Sequence, residues 1–125
     1  MYTHMKHRVA GRTLGRERNQ RKALIKTLLG SLVMHERITT TEAKAKEIKN
    51  FIDQVVNKAK EARTDDDRKV SLLRQLNQDL PAMAAKKILG DFAERFEARN
   101  SGYVRVVKLE PRKTDGARMA IIEFV

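Results

Sequence analysis

The chain has 125 residues, room for one compact domain and little more, and its 27 Lys and Arg outnumber 16 Asp and Glu to give a net charge of +11. A cationic surplus of that size repels itself unless a polyanion relieves it, which argues against a protein that works alone in water. The lack of cysteine excludes a disulfide framework and a thiolate zinc site, and no apolar run approaches the roughly 18 residues of a spanning helix.

The charge is unevenly placed. Residues 1–27 carry seven of the eleven surplus charges, so a basic arm is attached to a body that is closer to neutral. Residues 1–18 read as an extended arm, because Gly11 and Gly15 break any helix and no apolar period appears. Three readings of this arm are open: a solvated tail, a transit or nuclear signal, and a nucleic-acid contact. The third has direct physics. Each Lys or Arg set on a phosphate releases condensed counterions, and glycine lets backbone approach a phosphate ridge closely. Five Arg and two Lys lie between Lys6 and Lys22, a balance that favours bidentate phosphate contacts and stacking.

From about Asn19 apolar residues recur at three- and four-residue steps. Ala23, Leu24, Ile25, Leu28, Leu29, Leu32 and Val33 predict a helix with one wide apolar face. Its first turn carries Arg21 and Lys22, which oppose the helix dipole and invite an external anion. The β-branched run at 36–41 predicts a short strand, and Thr40 or Thr41 can cap the helix that follows, with Glu42 in its first turn. That helix spans about 42–62, with Ala45, Ile48, Phe51, Ile52, Val55, Val56 and Ala59 as its buried stripe. After the polar break Thr64–Asp67, a short helix at about 67–77 puts Val70, Leu73 and Leu76 on one side. Pro81 opens a fourth, with Met83, Ala84, Ile88, Leu89, Phe92, Ala93 and Phe96 facing inward and Asn100 or Gly102 ending it.

The last quarter changes period. Residues 103–109 and 118–125 predict two strands, joined by a turn-rich basic loop. Arg112, Lys113 and Arg118 in that loop read either as an ordinary solvated tip or as a second phosphate contact. Tyr103 reads either as sheet core or as a stacking surface for a base. The predicted fold class is α+β: a small three-stranded mixed sheet with about four helices packed on it, plus the extended arm at 1–18, the body at 19–125 being a single domain.

Catalysis is not expected. His4, His7 and His35 are the only histidines, and none stands with carboxylates at metal-ligand spacing. His35-Glu36 lacks the second His of a zincin helix, and Asp65–Asp67 is explained by capping. Neither a phosphate-cradling glycine loop nor a nucleophile motif occurs, so no cofactor, membrane or small-molecule substrate is expected.

The blocks of the chain resemble the bacterial large-subunit ribosomal protein seventeen family. Lys6-His7-Arg8-Val9-Ala10-Gly11-Arg12, then Leu14-Gly15-Arg16, match its start. Arg21–Leu24, Ser31-Leu32-Val33 with His35–Ile38, Thr39-Thr40, Ala43–Glu47, Gly102-Tyr103 with Arg105, and Met119-Ala120 with Ile122-Glu123 follow in the family's order. The resemblance implies a structural constituent of the large ribosomal subunit in the cytoplasm. It also implies binding to 23S-type ribosomal RNA near the peptide exit tunnel, beside large-subunit protein thirty-two. By the match, Lys6, His7, Arg8, Arg12, Arg16, Arg21 and Lys22 take the RNA-contacting role, with Arg105 and Arg112. The charge pattern adds Arg18, Lys26, Lys113 and Arg118. The family's start falls near Met5, which makes Met1–His4 an extra piece or Met5 the true start, and leaves little for a transit peptide. Arg18-Asn19-Gln20 stands where many members have Ser-Ser-His, and many carry Asn near Thr27. The alternative class, a free DNA-binding or nucleoid-type protein, lacks a recognition helix with exposed base-reading side chains.

Overall fold

The computed structural model describes Leu14 and residues 17–125, the Asp91 side chain excepted. The elements run α1 (Arg18–His35), β1 (Arg37–Thr41), α2 (Glu42–Thr64), α3 (Lys69–Asp79), α4 (Ala82–Leu89), a 3₁₀ segment (Asp91–Phe96), β2 (Val104–Lys108) and β3 (Met119–Phe124). Arg18, assigned to the arm by composition, is the first residue of α1.

Each helix forms where its sequence permits. The Thr41 hydroxyl accepts from the Lys44 N–H at the start of α2, and Glu42 stands in the first turn, where a carboxylate suits the dipole. The predicted stripe of α2 is buried from Ala45 to Ala59, except that Phe51 is half exposed. α3 is turned from its predicted register: Leu72 and Leu76 are buried, Leu73 is half-buried and Val70 is exposed. The predicted fourth helix is two pieces. α4 stops at Leu89 because the Arg63 guanidinium, arriving from α2, takes the carbonyls of Leu89 and Gly90 together with the Glu94 carboxylate. Met83 is exposed, while Ala84 and Ala85 face the core.

The sheet has the order β1-β3-β2 and is wholly antiparallel, not mixed. Arg37 to Thr41 pair with Glu123 to Met119, and Val104 to Lys108 pair with Phe124 to Ala120. The long helical crossover returns the chain as β2, in the same sense as β1 but one strand away, and the loop after β2 turns β3 back between the two, antiparallel to both. Ala120, Ile122, Phe124 and Val104 point into the core with Leu32, Val33, Ile48, Ile52, Val56, Leu76, Ile88 and Phe96. Tyr103 is fully buried, so it is core and not a base-stacking surface. Its hydroxyl accepts from Lys60 Nζ at 3.2 Å and lies against Asn57 Oδ1 and the Arg99 carbonyl.

α1 packs against α4 through Gly30. A Cβ placed there would stand 2.7 Å from both Cγ and Cδ of Pro81. In a free helix Gly→Ala gains about 1 kcal/mol, but forcing two packed helices apart costs about 1–3 kcal/mol. Gly30→Ala is therefore expected to lower stability by up to about 2 kcal/mol in denaturant titration. An unchanged or raised midpoint would mean that α4 gives way freely.

Candidate nucleic-acid interface

α1 changes character along one side. At 3.6 residues per turn, Arg18, Arg21, Lys22 and Lys26 fall within about 140° of arc. Leu29, Leu32 and Val33 continue the same arc and are buried. Ile25 is the first residue of α1 that packs on the core. Residues 18–24 thus run about 10 Å past it at 1.5 Å per residue. On this stretch Arg18 and Lys22 are exposed and Arg21 is half-buried, and Lys26 is half-buried just beyond it.

Nothing in the described residues neutralises these four cations. No ion pair is formed by any of them, the first turn has no acid, and the Glu17 side chain makes no capping bond. Three cations at the positive end of a helix dipole are unfavourable, by about 0.3–1 kcal/mol each where exposed. An anion placed there reverses the sign of that cost. The Thr27 hydroxyl donates back to the Ala23 carbonyl at 2.9 Å.

The cations of the body behave differently. Lys60 Nζ donates to the carbonyls of Phe96 and Arg99, closing the end of the 3₁₀ segment. Lys87 Nζ donates to the Met34 carbonyl at 3.0 Å and, with Arg95, holds Glu36. Glu36 ends α1 in a left-handed conformation with φ +64, a strain of about 1–2 kcal/mol for a side-chain residue. The Arg95 and Lys87 hydrogen bonds lower its carboxyl pKa below the ordinary value, against a smaller opposing effect of burial. Lys58 joins Asp79 at 2.9 Å, tying α2 to α3. Part of the positive charge in the body thus closes helix ends and braces packed elements, while Lys44, Lys49, Lys69, Arg74 and Lys86 form no ion pair among the described residues.

The predicted sites on the hairpin divide. Arg105 is exposed on the outer sheet face and pairs across strands with Glu123 at 3.1 Å, a carboxylate that Arg37 also approaches at 3.9 Å. Arg112 is held in a bidentate pair with Asp115 at 2.8 and 3.0 Å. That pair, with the Ala117 N–H, lowers the Asp115 carboxyl to about 2. Lys113 and Arg118 are exposed and have no ion pair among the described residues. Arg118 lines a shallow cleft with Thr41, Glu42, Ala43, Lys46 and Ala117. None of the hydrogen bonds or ion pairs joins the α1 cations to this loop. Asp115 was not singled out in the sequence; its signal is an Arg three residues before an Asp-Gly step. Lys6, His7, Arg8, Arg12 and Arg16 lie outside the described residues.

Among the described residues no three His, Asp or Glu side chains converge as a metal site, and no helix is long and apolar enough to cross a membrane.

Residues 24–125 match the family model described as Ribosomal protein L17. The chain is 46% identical over 121 residues to the large ribosomal subunit protein bL17 of Thermodesulfovibrio yellowstonii, covering 97% of this chain and 87% of that protein. The protein of the same name from Thermotoga maritima is 41% identical over 124 residues, covering 97% and 95%. That of Lactococcus lactis subsp. cremoris is 36% identical over 126 residues, covering 94% and 100%. Both the family match and these near full-length identities carry one conclusion: the chain belongs to the ribosomal protein L17 family.

Proposed function

We propose that the protein is a structural component of the large ribosomal subunit that binds 23S-type ribosomal RNA with its cationic N-terminal segment. The observation that carries this reading is the face of α1. Four cations without an ion pair among the described residues occupy the arc that buries leucines two turns later. A cationic face continues past the protein's own core, and a polyanion would satisfy it. Lys6, His7, Arg8, Arg12 and Arg16 extend the same positive charge along the arm, and Lys113, Arg118 and the part-neutralised Arg105 and Arg112 supply a second cationic zone. The relatives' shared name as large-subunit proteins supports the ribosome as the site of action. Within it we place the chain near the peptide exit tunnel, beside large-subunit protein thirty-two, in the cytoplasm. No catalytic step is assigned.

The test is fractionation of a bacterial lysate containing the chain on a sucrose gradient. Stoichiometric comigration with large subunits through moderate salt is expected. Recovery mainly at the top of the gradient, or on DNA, would favour a free nucleic-acid-binding protein and overturn the reading. Deleting residues 1–16 should abolish comigration and leave the melting temperature of the isolated body unchanged. Loss of the folded body in that truncation would refute the division into arm and domain.

A further inference from the structure

The loop between β2 and β3 is ordered without a core beneath it. Every residue from Leu109 to Gly116 is exposed. Fixing exposed backbone costs conformational entropy that no burial repays. Yet this loop is closely bonded. The Arg112 N–H donates to the Ala117 carbonyl and the Gly116 N–H to the Arg112 carbonyl, both at 2.8 Å. Gly116 takes φ +72, a conformation that suits glycine. The Asp115 carboxylate receives three donors: two from the Arg112 guanidinium and the Ala117 N–H at 3.1 Å. Both ends are anchored as well. The Leu109 N–H donates to the Met119 carbonyl, and the Glu42 N–H of α2 donates to the Arg118 carbonyl, each at 2.9 Å.

This bonding sorts the loop's three cations. Arg112 holds its fork on Asp115, while Lys113 and Arg118 stay exposed and form no ion pair among the described residues, one at the tip and one at the base. We propose that Asp115 is a positioning residue for RNA contact: with Arg112 as an internal brace, it holds the loop so that Lys113 and Arg118 meet phosphates. The inference rests on the reading of this loop as part of the RNA interface. It makes an acidic residue favourable to binding a polyanion. The low pKa of Asp115 means that the brace persists throughout the neutral and mildly acid range.

Charge alone and positioning make opposite demands. If charge alone governs, removing the Asp115 carboxylate tightens binding, because one repulsive charge is gone. If the brace governs, binding weakens, because the loop must be ordered on contact. The experiment uses the full chain and a full-length transcript of bacterial large-subunit ribosomal RNA, with filter-binding titrations at a series of KCl concentrations. Asp115→Asn and Arg112→Gln should each weaken binding by about three- to tenfold, and the double variant by no more than either alone. The salt dependence of Arg112→Gln should stay native. The control Lys113→Gln/Arg118→Gln should lose two phosphate contacts and flatten the slope of log K against log salt by about 1.4–1.8. Melting temperatures should stay native throughout, since the altered side chains are solvent-exposed.

Two results overturn the brace while the RNA reading of the loop stands. One is native or tighter binding by Asp115→Asn beside a weakened Lys113/Arg118 control. The other is a slope flattened by about one unit in Arg112→Gln alone, which would make Arg112 a phosphate ligand. Native affinity and slope in the Lys113/Arg118 control would instead remove the loop from the interface, and the brace with it.

Discussion

Exchanging Arg18, Arg21, Lys22 and Lys26 together for glutamine should move two measurements in opposite directions. Glutamine keeps nearly the helix propensity of Arg and Lys, so α1 is preserved. Binding to large-subunit ribosomal RNA should fall on the order of a hundredfold at physiological salt, with the slope of log K against log salt flattened by about three units, as expected for four lost phosphate contacts. The free protein, by contrast, should gain about 1–2 kcal/mol, because cations opposing the dipole of α1 are removed from a first turn that contains no acid. Weaker binding with lower stability would mean that the four side chains support the fold. Unchanged binding would remove α1 from the interface.

Phe96→Ala should have the largest effect on folding. Phe96 is 1% exposed, and its ring centroid lies 5.5 Å from each of Phe92, Tyr103 and Phe124. It joins the 3₁₀ segment to β3 and to the start of β2, with the Arg95 guanidinium over its ring at 5.5 Å. Truncation leaves a cavity among groups held by other contacts: Tyr103 by its hydroxyl network, and the segment by Lys60 and Arg63. A cost of about 3–5 kcal/mol is expected. For a chain of this size the melting temperature should then fall by about 10–20 °C. Saturating RNA should recover part of the loss, since a ligand that binds only the native state stabilises it by mass action. A fall of less than about 3 °C would show that neighbouring rings refill the space.

The two variants touch parts of the molecule that differed in how legible they were from the sequence. The stripe of α2 could be read because a 23-residue helix repeats its apolar period many times. In α3 the adjacent pair Leu72-Leu73, with Val70 nearby, fits more than one face, and packing against α2 selected Leu72. The predicted fourth helix ran through Gly90 because Leu89, Phe92, Ala93 and Phe96 keep helical spacing across it. The break depends on Arg63, 26 positions earlier than Leu89, which no local window contains. Composition also could not sort the cations. Lys60 and Lys26 are both half-buried lysines on helices, yet one closes the 3₁₀ segment and the other has no ion pair among the described residues. Local charge did point to α1, because cations in its first turn conflict with the dipole whatever surrounds them. The direction of the sheet was not legible, since no single strand encodes the sense of its partner.

The position of β3 has a kinetic consequence. It is the middle strand of the sheet and the last element in chain order, and neither β1 nor β2 pairs with the other. As synthesis proceeds, β1 must wait for partners about eighty positions downstream. Until then two short strands have unsatisfied edges, a state open to mispairing between nascent chains. The helices can collapse early, but the sheet can close only once β3, the final strand to be made, takes its place between β1 and β2.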